Sequence, residues 1–117
     1  MKKQINIIVK LNFPGIHSWN NCNLKPVIYL KNYHRHMFHI TCKIQVKHDD
    51  RDIEIIMLKN SVLNYLNRKF YSDHYGCGLF GNMSCEMIAE MILEEFKLNY
   101  CRVLEDNENG AEVKNER

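Results

Sequence analysis

His34-Arg35-His36-Met37-Phe38-His39-Ile40-Thr41-Cys42-Lys43-Ile44-Gln45-Val46-Lys47 is the stretch on which the fold turns. Its residues alternate. His34, His36, Phe38, Ile40, Cys42, Ile44 and Val46 share one face of an extended chain, and Arg35, Met37, His39, Thr41, Lys43, Gln45 and Lys47 share the other. A period of two over this length is a half-buried β-strand. The two histidines continue the apolar face at the strand's N-terminal end. Their Cα atoms lie about 7 Å apart along such a strand, so both rings can converge on one ion. Arg35 points to the opposite face.

A second alternating run precedes it. Ile5, Ile7, Val9, Leu11 and Phe13 share a face, with Asn6, Lys10 and Asn12 on the other. Pro14-Gly15 is expected to end this strand, and His17 follows directly. His17, His34 and His36 then form a set of three imidazoles with a fourth position open. Catalytic zinc uses this arrangement, whereas structural zinc sites are usually closed by four protein ligands. The plainer alternative is that all three are ordinary strand and loop histidines.

Outward from these strands the chain reads as follows. Residues 18–33 are rich in Asn and carry Pro26, which predicts a long loop with a short extended piece at Val27–Leu30. His48-Asp49-Asp50-Arg51-Asp52 is a turn. Leu58, Val62, Tyr65, Leu66 and Phe70 keep helical spacing, so residues 57–70 are a predicted helix. Residues 71–82, with Asp73, His74 and three glycines, are a predicted loop. A second helix is predicted from Ser84 to Lys97, capped by Asn82 or Ser84, with Met87, Ile88, Met91, Ile92 and Phe96 as its apolar stripe. Tyr100–Leu104 is a short strand, Asn107–Gly110 a turn, Ala111–Val113 a final strand, and the charged last residues are expected to fray. The order β-β-α-α-β-β predicts an α+β domain spanning 1–117, with a four-stranded antiparallel sheet and two helices on one face.

Composition narrows the function classes. Sixteen basic residues against 14 acidic ones give no electrostatic case for nucleic acid or membrane. No segment is apolar enough to span a bilayer. Asn6 and Lys10 break the apolar run that a signal peptide needs. The five cysteines (Cys22, Cys42, Cys77, Cys85, Cys101) are odd in number and lack CxxC spacing, which fits a reducing cytoplasm.

In this order the motifs resemble those of the 6-pyruvoyl-tetrahydropterin synthase and 6-carboxytetrahydropterin synthase family, of the tunnelling fold, over roughly residues 3 to 113. Phe13-Pro14-Gly15-Ile16-His17 is similar to the family's Phe-x-x-x-His, and His34-Arg35-His36 to its His-Gly-His. Glu54-Ile55-Ile56-Met57-Leu58-Lys59 is similar to its first-helix motif, Asp73-His74 to its Asp-His pair, Asn82-Met83-Ser84-Cys85-Glu86 to its second-helix start, and Val103-Leu104-Glu105-Asp106 to its acidic strand end. Two positions depart from the pattern. The family's catalytic cysteine corresponds to Tyr29 or Leu30, leaving Cys22 as the only nearby thiol, and Arg35 replaces the family's glycine.

The resemblance implies a zinc ion on His17, His34 and His36 and a substrate such as 7,8-dihydroneopterin triphosphate. It implies a proton relay of Asp73 and His74, with Cys22 as a candidate base. It also implies a pterin ring held by Glu105, with Glu86 and Ser84 nearby. The carboxylate would accept the adjacent N–H donors of the ring. The product would be of the 6-carboxytetrahydropterin type, feeding 7-deazaguanine (queuosine-type) synthesis, in a cytoplasmic homo-oligomer, a hexamer of two trimers. Two other readings stay open: a tunnelling-fold protein that binds a pterin or purine nucleotide without turnover, and a plain α+β module. The position of Cys22 separates the catalytic reading from binding without turnover.

Overall fold

The computed structural model describes residues 3–115. The expected fraying of the charged end falls at Glu116 and Arg117, outside the described residues. The elements follow the order β1 (Ile5–His17), a 3-10 helix (Lys25–Lys31), β2 (His34–Val46), α1 (Ile55–Phe70), β3 (Tyr71–Ser72), β4 (Cys77–Gly81), α2 (Cys85–Glu95), β5 (Tyr100–Glu105) and β6 (Asn109–Lys114). The α+β class holds. The expected four-stranded antiparallel sheet does not: the sheet has six strands in the order β3-β4-β1-β2-β5-β6, and β4 runs parallel to β1.

The missed strands lie in the glycine-rich stretch expected to be a loop. Tyr71 pairs with Gly78 and Ser72 with Cys77 across a turn closed by Gly76, whose φ of +67° suits glycine. β4 carries no alternation because Cys77, Gly78 and Phe80 are all buried. Gly78 is required by packing, since a Cβ there would lie 2.3 Å from the Phe13 ring.

β1 also runs past its expected end and takes in Pro14, Gly15 and His17. Pro14 is opposite Met37. The Met37 N–H and C=O both bond to Asp106, on the far side from β1. Pro14 therefore sits at a position where no ladder bond to β2 needs its missing N–H. The stretch Val27–Leu30 is not extended but lies inside the 3-10 helix, where Pro26 presets the first turn. The first helix begins at Ile55, two residues before the expected start, because Glu54 accepts from the Ile56 and Met57 N–H groups as its N-cap. Ser84 caps α2 through a bond from Met87 N–H of 3.1 Å.

One face of the sheet builds the core. Its rows run Val9–Cys42–Cys101, then Leu11–Ile40–Val103, then Phe13–Phe38–Glu105. Val62 and Leu66 of α1 and Ile88, Ala89 and Ile92 of α2 cover them. The next rows along the same face are Gly15–His36 and His17–His34. The core face thus ends in a carboxylate and three imidazoles.

Candidate metal centre

The register explains the convergence. His17 lies directly opposite His34, and His36 is the next same-face residue of β2. Phe38 packs against His17 and His36 from below, at ring-centroid distances of 5.2 and 5.9 Å. The β5–β6 turn then brings in Glu105. Asp106 and Asn107 both have φ near +60° (53° and 60°), and Glu108 N–H closes on the Glu105 carbonyl at 2.9 Å. Two left-handed central residues with this closing bond make a type I′ turn, set within a three-residue connection between the paired Glu105 and Asn109. The turn therefore centres on Asp106-Asn107, ahead of the expected Asn107–Gly110.

One ligand atom from each of His17, His34, His36 and Glu105 lies within 4.8 Å of the others. His17 Nε2 is 2.8 Å from Glu105 Oε2, and His36 Nε2 is 3.6 Å from Oε1. The other nitrogen of each ring is already engaged. His17 Nδ1 donates to the Met83 carbonyl at 2.8 Å, His34 Nδ1 to the Asn32 carbonyl at 2.9 Å, and His36 Nδ1 to Asp106 Oδ2 at 2.7 Å. Carbonyls and carboxylates only accept, so each Nδ1 carries the proton. Each neutral ring then turns a bare Nε2 toward the centre. This is the arrangement in which outer hydrogen bonds fix the tautomer and aim of metal-ligating histidines.

Four acceptors crowd one small volume with no donor among them. His17 Nε2 and His36 Nε2 are buried and lack a hydrogen-bond partner. Such a constellation could hold a cation at its centre, and a metal ion fits the donor set. Without one, a proton is the remaining candidate. Burial opposes a charge on His17, but the Glu105 carboxylate and the Met83 carbonyl outweigh it and hold its pKa above the ordinary imidazole value. Burial lowers that of His34, with the neighbouring imidazoles adding to it against the Asn32 bond. The contact with His17 holds Glu105 below the usual carboxylate range against its own burial.

The centre opens on a cleft of about 590 Å³. Its walls include Trp19, Asn21 and Leu30 from the segment after β1, and Met83, Ser84 and Glu86 at the start of α2. Ser84 and Glu86 thus share the cleft with His17, His34 and Glu105. The sequence reading had Glu105 apart from the metal set, and the structure puts its carboxylate beside the three imidazoles, where it could serve as a fourth ligand.

The proposed acid–base residues lie elsewhere. Cys22 is fully buried, and its thiol donates to the Val27 carbonyl at 3.6 Å, tying the 3-10 segment down. It does not line the cleft. Asp73 and His74 sit exposed in the turn between β3 and β4. Among the described residues neither makes a side-chain hydrogen bond or ion pair, and His74 packs edge-on against Tyr75 at 4.7 Å. The orienting relay between them is therefore absent within one chain.

The thiol beside the centre is Cys85, whose Sγ donates to Glu105 Oε2 at 3.7 Å. Burial and the Glu105 charge push its pKa up to about 12, so it is a donor and not a base. Asp106, Met83 and Asn32, the three outer acceptors, were missed as such. Only Asp106 left a signal, as the second acid of Glu105-Asp106; the others act through backbone carbonyls.

No family model matches the chain, and no curated protein does. Among solved structures, the crystal structure of the uncharacterized protein WS1659 from Wolinella succinogenes is similar to this chain. It aligns at 12% identity with a TM-score of 0.75, covering 98% of this chain and 100% of that one. At that identity the likeness shows a shared fold.

Proposed function

We infer that this chain is a zinc-dependent enzyme of the 6-carboxytetrahydropterin synthase type, acting on 7,8-dihydroneopterin triphosphate in 7-deazaguanine formation. The observation that carries the reading is the set of three histidines with tautomers already fixed, two of which, His17 and His34, line a cleft large enough for a bicyclic ring. His17, His34 and His36 would hold zinc, which when bound supplies Lewis-acid polarisation of a substrate oxygen. Glu105 accepts paired N–H donors of the pterin edge, and Ser84 and Glu86 border the ring. Trp19 offers an aromatic wall to the same cleft.

Proton transfer is assigned to Asp73 and His74 in an oligomer. Both are exposed, and Tyr33 and Tyr75 beside them are 53% and 38% exposed. These features suit an assembly in which the β3–β4 turn of one copy completes the cleft of another. A second reading is favoured by one observation, the burial of Cys22. If no other base takes its place, the protein binds a pterin without turning it over.

The test is incubation of the zinc-loaded protein with 7,8-dihydroneopterin triphosphate, with product followed by chromatography. The expected outcome is substrate consumption that His36→Ala abolishes together with zinc content and that Cys22→Ser leaves intact. Saturable binding of the substrate without consumption would select the second reading. Full zinc content in His36→Ala would remove the metal assignment itself.

A further inference from the structure

The face of the sheet away from the helices carries a polar pocket that the metal centre does not use. Two rows of side chains cross it: Lys10–Thr41–Arg102–Glu112 and Asn12–His39–Leu104–Gly110. Between them lies a cavity of about 190 Å³ lined by Lys10, Asn12, His39, Thr41, Arg102 and Asn107, among others. Arg102 Nη2 donates to Thr41 Oγ1 at 3.4 Å, but Arg102 Nε is buried and has no hydrogen-bond partner. A buried guanidinium N–H without an acceptor is costly, so the position asks for an anion.

The nearby carboxylates do not supply one. Glu112 is opposite Arg102 in register, yet its Oε1 accepts from the Tyr100 hydroxyl at 3.0 Å and its Oε2 lies 3.5 Å from Lys114 Nζ. Asp106 is turned to the other side, onto His36 and Met37. Among the described residues Arg102 makes no ion pair. Thr41 is only 6% exposed and accepts from Arg102, which leaves its own O–H free to donate. Lys10 adds a second cation, and Asn12, His39 and Asn107 can each add an N–H.

We propose that this pocket binds one tetrahedral oxyanion, a phosphate group held between Arg102, Thr41 and Lys10. Guanidinium geometry matches two anion oxygens at once, and Lys10 contributes as a point charge. The volume suits a single phosphate with its residual water rather than a polyphosphate chain. The site is independent of the metal reading, because its residues point to the opposite face.

Nuclear magnetic resonance on the full chain tests it, with inorganic phosphate and methyl phosphate as probes and sodium chloride at equal ionic strength as control. The expected result is a saturable shift of the Arg102 Nε–H and Thr41 resonances by phosphate and none by chloride. Equal response to methyl phosphate identifies a monoester site, and response to the inorganic ion alone identifies a site for free phosphate. Arg102→Gln should remove saturation. Lys10→Gln, an exposed change that leaves the fold undisturbed, should weaken binding by about tenfold. The same titration on His36→Ala should be unchanged, which separates this pocket from phosphate captured by a metal. Unmoved Arg102 and Thr41 resonances, or equal affinity in Lys10→Gln, would overturn the proposal.

Discussion

Asp106 does at the residue scale what no ligand can do for itself. Its Oδ2 takes the His36 Nδ1 proton and its Oδ1 takes the Met37 N–H, so one carboxylate fixes both the ring and the strand beneath it. Asp106→Asn should lower metal affinity by about tenfold, the smaller end of what loss of an outer partner costs. Asn tolerates the left-handed backbone as Asp does, so the turn survives and the acceptor alone weakens. Competition against a chromophoric chelator measures it, and unchanged affinity would reduce Asp106 to a turn residue. Glu105→Gln should behave differently. Three imidazoles still hold the ion, while the amide cannot accept two ring N–H groups. Retained zinc and roughly thirty- to several-hundred-fold weaker binding of a pterin analogue are expected, equivalent to about 2–4 kcal/mol. Loss of zinc instead would make Glu105 a ligand and not an anchor. The histidines were legible because a strand's period of two states which residues share a face. Met83 and Asn32 were not, because a backbone carbonyl carries no side-chain signature and its aim is set only by the fold.

At the scale of elements, both α-helices and the strands β1, β2, β5 and β6 were legible, whereas β3, β4 and the 3-10 helix were not. β2 and α2 repeat their periods long enough to be read, and Ser84 announces its helix by residue type. β4 has five residues, two of them glycine, and is buried where alternation would have marked it. Of its glycines, Gly78 is there for contact and Gly81 for its left-handed φ of +64°. The β5–β6 hairpin makes the same point at higher cost, since a Cβ at Gly110 would lie 1.9 Å from the Val103 carbonyl oxygen. Backbone cannot swing away as a side chain can. Gly110→Ala should therefore destabilise the fold by about 3 kcal/mol, the upper part of the over-packing range, and should disturb Glu105 at the hairpin's other end. Ser84→Ala is the milder element-scale test. It removes one cap bond and should cost about 1 kcal/mol by chemical denaturation, with the His17–Met83 contact next to it loosened.

For the whole molecule, the six-stranded sheet leaves two edges, β3 and β6. β3 has two residues and offers little to pair with, but β6 has six, Asn109–Lys114, with an open side. Open edges recruit other strands unless they are covered or charged. Glu112 and Lys114 supply charge here, but they largely neutralise each other, lying 3.5 Å apart. Exposed apolar side chains, among them Tyr29, Tyr33, Ile55, Ile56 and Met57, add surface that a lone copy would leave in water. No helix of the described residues is long and apolar enough to cross a membrane. Closure by copies of the same chain would meet both demands at once, joining sheet edges and covering exposed apolar side chains. A hexamer of two trimers is the expected form, and light scattering at micromolar concentration measures it. Tyr33→Glu would place a charge at one of these apolar positions and should shift the population to smaller species while leaving the zinc content of each chain intact, since Tyr33 makes no hydrogen bond to any of the four donors. A wild-type monomer under these conditions would contradict the closed assembly. It would also leave Asp73 and His74 with no cleft to serve, which would turn the balance toward binding without turnover.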